Sequence, residues 1–394
     1  MRGARVAVIG GGAAGNAAAR TLHTADADLD LELFTRTHEQ PTNRTLVNKG
    51  VVAGLLEPHQ AVLPETGARL TADTVRALDP RTRQLQLDSG HRRSFDAFII
   101  ATGSRPRLLS EEIIGRDEAL RSGHLTTLHS MADGAHVRDR LAQTTSARVL
   151  ILGGGLIASE TASLLTDAGH DSVLIARSRL PGASSIGEPA ARQLLELHQP
   201  QHAAYLGRDV RMIRTHADHI SLTLDDGTQV DGDLAIIAHG TLANAPAPWT
   251  GPEGMPVDAR LRSLHAPDQR IYAAGGVAIH HYPGHSSYRI DHWDDATAQG
   301  AHAAQALLHD LGFGDDPGPY LPTSTFSVRI HGRTLTGAGH PALGTSTRAL
   351  STDPLLVAHD LGSTPVALTG LDADGPLRQH LPGLHQPAAF PGSS

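Results

Sequence analysis

The sequence predicts an α/β protein with two units built on parallel sheets. A small C-terminal module of the α+β class, with mainly antiparallel strands, follows them. The first unit is indicated by an apolar strand at 5–9, which three consecutive glycines and an alanine-rich helix follow. The same order of strand, glycines, helix and strand returns at 148–176. From Tyr320 onward, short alternating segments are separated by Gly, Pro and Asp, which is typical of antiparallel strands.

The individual elements follow from apolar runs, alanine content and turn residues. In the first unit we expect a helix at 13–22 and strands at 5–9, 31–34, 74–79, 84–88 and 94–100. In the second unit we expect a helix at 156–168 between strands at 148–152 and 172–176. In the C-terminal module we expect strands at 325–330, 333–338 and 364–369, followed by a tail rich in Pro and Gly.

Composition excludes several classes of protein. The 394 residues correspond to two or three domains, at about 150 residues per domain. The absence of cysteine excludes disulfide scaffolds, zinc–thiolate sites, cysteine nucleophiles and electron relay through a protein dithiol. The net charge of −8 gives no general attraction to nucleic acid or anionic lipid. We also find no secretory signal and no membrane-spanning segment, so we expect a cytoplasmic protein without nucleic-acid or membrane partners.

Both glycine turns carry the spacing that a dinucleotide pyrophosphate requires. The first glycine permits the tight turn, the second lets the backbone approach the phosphates, and the third position lets the helix pack closely on the strand. The first turn contains Gly10, Gly12 and Gly15, and the second contains Gly153, Gly155 and Ala158. Because each turn follows a strand and opens a helix, we expect two Rossmann-like dinucleotide-binding domains.

Further segments extend this pattern along nearly the whole chain. They are P-T-N-R-T-L-V-N-K-G at 41–50, I-I-A-T-G-S-R-P-R at 99–107, I-I-A-H-G-T-L-A-N at 236–244, I-Y-A-A-G-G-V-A at 271–278 and R-I-D-H-W-D-D-A at 289–296. With the two glycine turns, they resemble the flavoprotein reductases of the pyridine nucleotide-disulfide oxidoreductase superfamily that have two dinucleotide-binding domains. Within that group, the sequence is most similar to the NAD(P)H-dependent ferredoxin and rubredoxin reductases.

The resemblance implies a domain order and two cofactors. An FAD-binding domain would comprise 1–111 and 243–316, and an NAD(P)H-binding domain would comprise 112–242. A C-terminal interface domain would comprise 317–394. The cofactors would be FAD and NADPH, with NADH as the alternative to NADPH.

The resemblance also implies which residues surround the cofactors. Those around FAD would be Gly10, Gly12, Gly15, Arg44, Lys49, Ala101, Thr102, Gly103, Gly276, His292 and Trp293. Those around the nicotinamide cofactor would be Gly153, Gly155, Ala158, Glu160, Arg177 and Arg179.

Lys49 is the one lysine of the chain, and it falls in the R-x-x-x-x-K-G segment. In the resembled family the corresponding lysine and glutamate lie beside the flavin, so Lys49 and Glu160 are the expected catalytic pair. A compact ammonium there would stabilise negative charge, and the planar fork of arginine is not equivalent. We expect the two side chains to form a salt bridge in the free protein. The alternative for Glu160 is an ordinary solvated helix residue.

Arg177 and Arg179 follow the second strand of the second unit, where an acidic residue would favour NADH. Two arginines in that place favour the 2′-phosphate of NADPH. The alternative is that both are simply solvated in an arginine-rich chain.

Four departures from the family pattern leave the strength of FAD binding open. No acid stands at 35–38 to hold the ribose, and Glu39 is the nearest downstream one. Gly276 replaces the aspartate that would hold the ribityl chain. Phe326 and Ser327 stand where a tryptophan is expected, and the segment between Leu56 and Arg69 is shorter than expected.

His280, His281 and His285 form a cluster in the H-H-Y-P-G-H segment. We interpret this cluster as a polar loop and predict no metal site, since the spacing does not supply a full set of ligands. A role in proton transfer is a minor hypothesis.

The sequence therefore predicts an FAD-dependent NAD(P)H oxidoreductase that passes hydride from nicotinamide to flavin, and electrons on to an iron–sulfur partner of the ferredoxin type or a small acceptor. Two alternatives stay open. One is a flavin-dependent tailoring enzyme acting on a small metabolite, and the other is a non-catalytic nucleotide-binding homologue. The sequence does not distinguish a monomer from a homodimer.

Overall fold

The structure is a computed structural model that describes residues 3–25, 27–282 and 287–387. The predicted Pro/Gly-rich tail from 388 onward and His285 lie outside the described residues. The helices are α1 (Ala13–Thr24), α2 (Arg116–Ser122), α3 (Met131–Leu141), α4 (Leu156–Asp167), α5 (Ala183–Ile186), α6 (Glu188–His198), α7 (Trp293–Asp310) and α8 (Asp374–His380). No helix among the described residues is long and apolar enough to cross a membrane.

The strands of the first half of the chain are β1 (Ala4–Ile9), β2 (Leu29–Thr35), β3 (Arg69–Ala72), β4 (Val75–Asp79), β5 (Gln84–Leu87), β6 (Arg92–Ser94), β7 (Ala97–Ile100), β8 (Ser104–Pro106), β9 (Leu125–Thr127), β10 (Arg148–Leu152) and β11 (Asp171–Ala176). Those of the second half are β12 (Ala203–Leu206), β13 (Val210–Thr215), β14 (Ile220–Leu224), β15 (Gln229–Gly232), β16 (Leu234–Ile237), β17 (Thr241–Ala243), β18 (Met255–Pro256), β19 (Ile271–Ala273), β20 (Ala278–His281), β21 (Ser287–Tyr288), β22 (Thr325–Ile330), β23 (Arg333–Gly339), β24 (Ser346–Thr352), β25 (Leu355–Leu361) and β26 (Thr364–Leu371).

The chain divides into two compact units. Unit 1 comprises the residues up to Asn43, Ala61–Arg105 and Thr241–Ser324. Unit 2 comprises Arg44–Gln60, Pro106–Gly240 and the residues from Thr325 onward. The three domains expected from the sequence, with boundaries at 111, 242 and 316, stay a prediction.

Unit 1 is built on a parallel sheet with the strand order β19-β7-β1-β2-β3. The residues of β1 from Val6 onward and all of β7 are buried, as expected for strands that are covered on both faces. Helices α1 and α7 pack closely against each other at Gly300. The packing requires glycine there, because a Cβ would collide with the carbonyl oxygen of Ala14. The antiparallel sheet β4-β5-β6 adds Leu78 and Leu85 to the same core.

The expected strand at 94–100 is interrupted in the structure. β6 ends at Ser94 and β7 begins at Ala97. Asp96 causes the break, because its backbone N–H donates to the carbonyl oxygen of Arg5 while its carboxylate accepts from the Arg5 N–H at 2.9 Å.

Unit 2 contains a second parallel sheet, with the order β12-β11-β10-β16-β9. Helix α4 packs on β10 and β11, as the strand–glycine–helix–strand pattern predicts. The C-terminal sheet of the same unit is antiparallel, with the order β22-β23-β26-β25-β24. It is attached to α5 by the buried hydroxyl of Thr369, which donates to the carbonyl of Ile186 at 2.9 Å. The predicted fold class is confirmed.

Candidate functional site

The first glycine turn lies at the carboxyl end of β1 and has three different glycine environments. Gly10 adopts φ of +105°, and a Cβ there would collide with the carbonyl oxygen of Ala101. A Cβ at Gly15 would collide with the carbonyl oxygen of Gly10. No atom lies within 4 Å of a Cβ built on Gly12. The turn is therefore closed behind Gly10 and Gly15 and open in front of Gly12, which leaves room for a phosphate group.

The first turns of α1 and α4 carry no negative charge. Both helices have a glycine as N-cap without a side-chain hydrogen bond, and neither has an acidic residue in its first turn. Every other described helix of seven or more residues has an acidic residue there. Such residues compensate the positive end of the helix dipole, so their absence leaves α1 and α4 suited to an anionic ligand.

The segment after β7 lies directly against the first turn. Thr102 has a buried hydroxyl oxygen with no hydrogen-bond partner among the described residues. Gly103 adopts φ of +67°, and no atom lies within 4 Å of its Cβ position. Ala101 is buried and supports Gly10. An unsatisfied hydroxyl beside an open phosphate turn is consistent with a polar ligand at this place.

Gly276, which stands where the resembled family has an aspartate, has the carboxylate of another residue beside it. A Cβ at Gly276 would collide with the carboxylate of Asp291. Thr241 donates its hydroxyl hydrogen bond to that carboxylate. Arg289 donates to the carbonyl of Gly276 at 2.9 Å and to that of Thr241 at 2.7 Å. A carboxylate is thus present beside Gly276, supplied from a different segment of the chain.

The start of α7 is tied to the same turn. His292 is the N-cap residue and Trp293 the first residue of the helix. Asp295 is buried, and burial raises the pKa of its carboxyl group. It accepts hydrogen bonds from Tyr320 at 2.6 Å and from Gln299 at 2.5 Å. Since Gln299 in turn accepts from the backbone N–H of Gly275 at 2.7 Å, the positions of His292 and Trp293 are set relative to the turn before Gly276.

The structure provides no acid where the ribose acid is expected. Residues 36–40 are exposed, Glu39 among them. Glu32, earlier in β2, is buried and already paired with Arg69 at 2.6 Å and Arg93 at 2.8 Å. Its carboxylate is committed to the sheet, so it does not replace the missing ribose acid.

In unit 2, the second glycine turn repeats the geometry of the first. Gly153 adopts φ of +150°, and a Cβ there would collide with the carbonyl oxygen of Ala238. The Cβ position of Gly155 is open, and Ala158, in the first turn of α4, is buried. The hydroxyl of Ser159 is buried without a partner among the described residues.

Arg177 and Arg179 lie at the carboxyl end of β11 and are exposed. In the part of the chain that the structure describes, neither guanidinium forms an ion pair with a carboxylate. Arg177 is close enough to His239 that its charge, after burial, lowers the pKa of that imidazole. The end of β11 therefore carries two guanidinium groups that pair with no carboxylate of the described residues.

The expected salt bridge between Lys49 and Glu160 is not formed. Glu160 instead accepts a hydrogen bond from the side chain of Asn48 at 2.8 Å, while Lys49 is exposed and has no ion-pair partner within the described residues. The reason is local geometry. Residues Val47–Val52 form a π-helical turn that buries Asn48 and directs Lys49 outward. Arg44, in the same segment, contacts Nε2 of His129 at 2.8 Å.

The predicted site residues are divided between the two units. Unit 1 holds Gly10, Gly12, Gly15, Ala101, Thr102, Gly103, Gly276, His292 and Trp293, and unit 2 holds Arg44, Lys49, Gly153, Gly155, Ala158, Glu160, Arg177 and Arg179. Among the other expected positions, His280 is buried and stacks on Tyr288 at 5.2 Å, whereas His281 is exposed.

Sequence analysis assigned no separate role to two residues that the structure singles out, although the resemblance placed the 289–294 segment around FAD. Asn48 adjoins Lys49 in the segment already named, and Asp291 lies within the R-I-D-H-W motif. Both stand inside recognised motifs, so proximity in sequence was the available signal.

Comparisons with known proteins agree with this geometry. Residues 4–300 match the family model described as pyridine nucleotide-disulphide oxidoreductase. The anthranilate 1,2-dioxygenase system ferredoxin–NAD(+) reductase component of Burkholderia cepacia is 25% identical over 385 residues, covering 93% of this chain and 88% of that protein. The biphenyl dioxygenase system ferredoxin–NAD(+) reductase component of Paraburkholderia xenovorans (strain LB400) is 26% identical over 348 residues, covering 83% of this chain and 79% of that protein.

Solved structures show the same fold. A chain in the crystal structure of the covalent putidaredoxin reductase–putidaredoxin complex superposes with a TM-score of 0.85 at 20% identity. The superposition covers 98% of this chain and 93% of that one.

Proposed function

The chain belongs to the pyridine nucleotide-disulphide oxidoreductase family, and from this premise we propose that it is an FAD-dependent NAD(P)H oxidoreductase that passes electrons to an iron–sulfur protein of the ferredoxin class. The observation that carries the proposal is the pair of glycine turns, each open at its second glycine and each opening a helix without acidic residues in its first turn. The proposal includes a cytoplasmic location, because the nicotinamide reductant is supplied there.

The residues of unit 1 are suited to hold FAD. The N–H groups of the first turn of α1, over Gly12, would bind the phosphates, and the Thr102 hydroxyl would gain the partner it lacks. The carboxylate of Asp291 would hold the ribityl hydroxyls in place of the missing side chain at Gly276. When bound, FAD would supply the capacity to accept hydride from a nicotinamide and to release electrons to an iron–sulfur acceptor.

Lys49 would act by its charge. Its ammonium is exposed and forms no ion pair within the described residues, so it is free to stabilise negative charge on a neighbouring ligand. Glu160 is held by Asn48, which makes it a positioned hydrogen-bond acceptor on α4, the helix that the second glycine turn opens.

For the reductant we propose NADPH. Arg177 and Arg179 stand where the 2′-phosphate of the adenosine ribose is recognised in such folds, and neither is engaged by a carboxylate of the described chain. The two curated relatives are named for NAD(+), so this preference rests on the arginines of this chain alone.

The composition of the chain implies that the cofactor passes electrons directly to the acceptor. Without cysteine, a protein dithiol cannot relay electrons, and the acceptor has to receive them from the cofactor itself. Both curated relatives are named as ferredoxin reductase components of dioxygenase systems, which favours an iron–sulfur protein. A second candidate is a tailoring enzyme for a small metabolite. It is favoured by Ser327, which is exposed on β22 where the family pattern has tryptophan.

The test begins with the colour of the purified protein. We expect a yellow protein that releases FAD on denaturation. With NADPH it should reduce a ferredoxin of the dioxygenase type, and the reduction of cytochrome c by that ferredoxin is the readout. A colourless protein that takes up no flavin from excess FAD contradicts the cofactor assignment. Reduction of small quinones without reduction of any ferredoxin supports the second candidate instead.

A further inference from the structure

Three histidine side chains that the proposed function does not use meet in unit 2. His198 is the last residue of α6, His202 lies one helical turn later, and His331 occupies the turn between β22 and β23. One ring nitrogen of each lies within 4.8 Å of those of the other two. The ring centroids are 4.8, 4.9 and 5.4 Å apart, so the three imidazoles form a compact triangle.

The hydrogen-bonding capacity of this triangle is not satisfied by the protein. Nε2 of His198 and both ring nitrogens of His202 are buried without a hydrogen-bond partner among the described residues. The contact within the group joins Nδ1 of His198 to Nε2 of His331 at 2.9 Å. Buried polar nitrogens are normally paired, so several unpaired ones in one place indicate a missing ligand.

The free nitrogens suit a cation ligand. Histidine binds a metal through an unprotonated ring nitrogen, and both nitrogens of His202 and Nε2 of His198 have no other partner among the described residues.

The backbone holds the three residues in place without help from a ligand. The N–H of His331 donates to Oγ of Ser163 at 2.7 Å, and His331 adopts φ of +46°. The N–H of His202 donates to the carbonyl of His198 at 3.3 Å, which keeps the two histidines on one helical turn. The ligands are thus supplied by a preformed scaffold rather than by flexible loops.

We propose that His198, His202 and His331 bind a divalent transition metal of the zinc class. Three neutral imidazoles without thiolate or carboxylate suit Zn²⁺, with water or an anion in the fourth position. Ligand nitrogens on a tetrahedral zinc are roughly 3.3 Å apart, given bonds of about 2.0–2.1 Å, so small side-chain rotations would complete the site. The metal would link α6 to the β22–β23 turn inside unit 2.

Zinc uptake by the tag-free full-length protein tests the proposal. The protein is stripped with a chelator and dialysed against buffered Zn²⁺, and zinc per chain is counted by plasma mass spectrometry. We expect one zinc per chain and a zinc-dependent rise of a few degrees in Tm, because a ligand that binds only the folded state stabilises it.

Matched variants locate the site. His202→Gln should weaken zinc binding roughly tenfold or more, because one of three ligands is lost. His216→Gln is the control, since His216 is exposed, stacks on His219 at 4.1 Å and should keep wild-type binding. If His202→Gln does not fold, His331→Gln replaces it.

The proposal is overturned if the wild type takes up no more zinc than the His202→Gln variant. It is also overturned if the His216→Gln variant loses as much zinc binding as the His202→Gln variant. Because no NADPH or flavin is involved in the measurement, the result is independent of the proposed function.

Discussion

At the scale of single residues, the carboxylate of Asp291 lies where a side chain at position 276 would be. Gly276 has lost the side chain that the resembled family uses, and the carboxylate of Asp291 has entered the space that this side chain would fill. Thr241 and Arg289 hold that carboxylate from two sides, with Arg289 at 3.7 Å. We therefore propose that Asp291 carries the role that the resembled family gives to an aspartate fifteen positions earlier in the chain.

Asp291→Asn tests this substitution. FAD affinity should fall roughly tenfold to a hundredfold, because a charge-assisted hydrogen bond contributes about 1.5–3 kcal/mol. The measurement is fluorescence titration of flavin-free protein with FAD. Asp294→Asn, an exposed neighbour on the first turn of α7, is the control and should bind FAD as the wild type does. Equal affinities in the Asp291 variant and the wild type would count against the role.

Lys49→Ala should slow reduction of the flavin at saturating NADPH roughly tenfold or more, because a positive charge that stabilises the transition state is lost. FAD affinity should change less than the rate. Lys49→Arg should restore part of the rate, since the charge is kept but the compact ammonium is not. Stopped-flow absorbance gives both quantities, and an unchanged rate in Lys49→Ala refutes the assignment.

Arg177→Glu should reduce the preference for NADPH over NADH, because the 2′-phosphate would then meet a negative charge. We expect the ratio of kcat/KM for the two cofactors to fall roughly tenfold or more, which is at least 1.4 kcal/mol. Arg211→Glu, an exposed arginine of β13, makes the same charge change and should leave the ratio unaltered. A ratio that shifts equally in both variants would indicate a general charge effect.

At the scale of elements, the first βα turn separates a structural glycine from a ligand-facing one. Gly15 packs against the carbonyl of Gly10, while Gly12 faces open space with an ordinary φ of −69°. Gly12 and Gly15 therefore lie in different surroundings, in line with the separate roles that the motif assigns to its second and third glycines.

Gly12→Ala should keep the stability of the wild type and lose FAD affinity, because the added methyl group meets no protein atom but enters the phosphate space. Gly15→Ala should lower the free energy of unfolding by about 1–3 kcal/mol through overpacking. Chemical denaturation of the two variants, alongside the FAD titration, checks the contrast. Comparable stability in both variants would contradict it.

At the scale of the whole molecule, buried histidines link stability to pH. Burial lowers the pKa of His198 to about 3 and those of His202 and His359 to about 4. In the unfolded chain these groups titrate near 6.5. Between the two values the unfolded state binds more protons than the folded state, so acid favours unfolding.

With zinc chelated, the free energy of unfolding should be highest above about pH 6.5 and should fall as the pH drops towards 4. Each such histidine adds a slope of about 1.4 kcal/mol per pH unit in that window. His198→Gln should lower the slope by up to that amount, and the titratable groups that face His198 are His202 and His331. Urea titrations at several pH values provide the slopes, and identical slopes in variant and wild type would exclude His198 as a contributor.

The sequence by itself determined the two strand–glycine–helix units and the C-terminal antiparallel sheet. These features are local: apolar runs, turn residues and glycine spacing act within about 30 residues of chain. Observed β10 and β22 accordingly match the predicted 148–152 and 325–330. The domain boundaries, the site residues as cofactor ligands and the NADPH preference stay predictions.

Only the tertiary structure decided which side chains meet. It paired Glu160 with Asn48, 112 positions away, rather than with Lys49. The reason is that the π-helical turn buries Asn48 and leaves the adjacent Lys49 exposed. It also brought His331 to His198 across 133 positions, a pairing that no periodicity in the sequence encodes. Contacts of this range depend on how separate elements pack, and a local pattern carries no information about that packing.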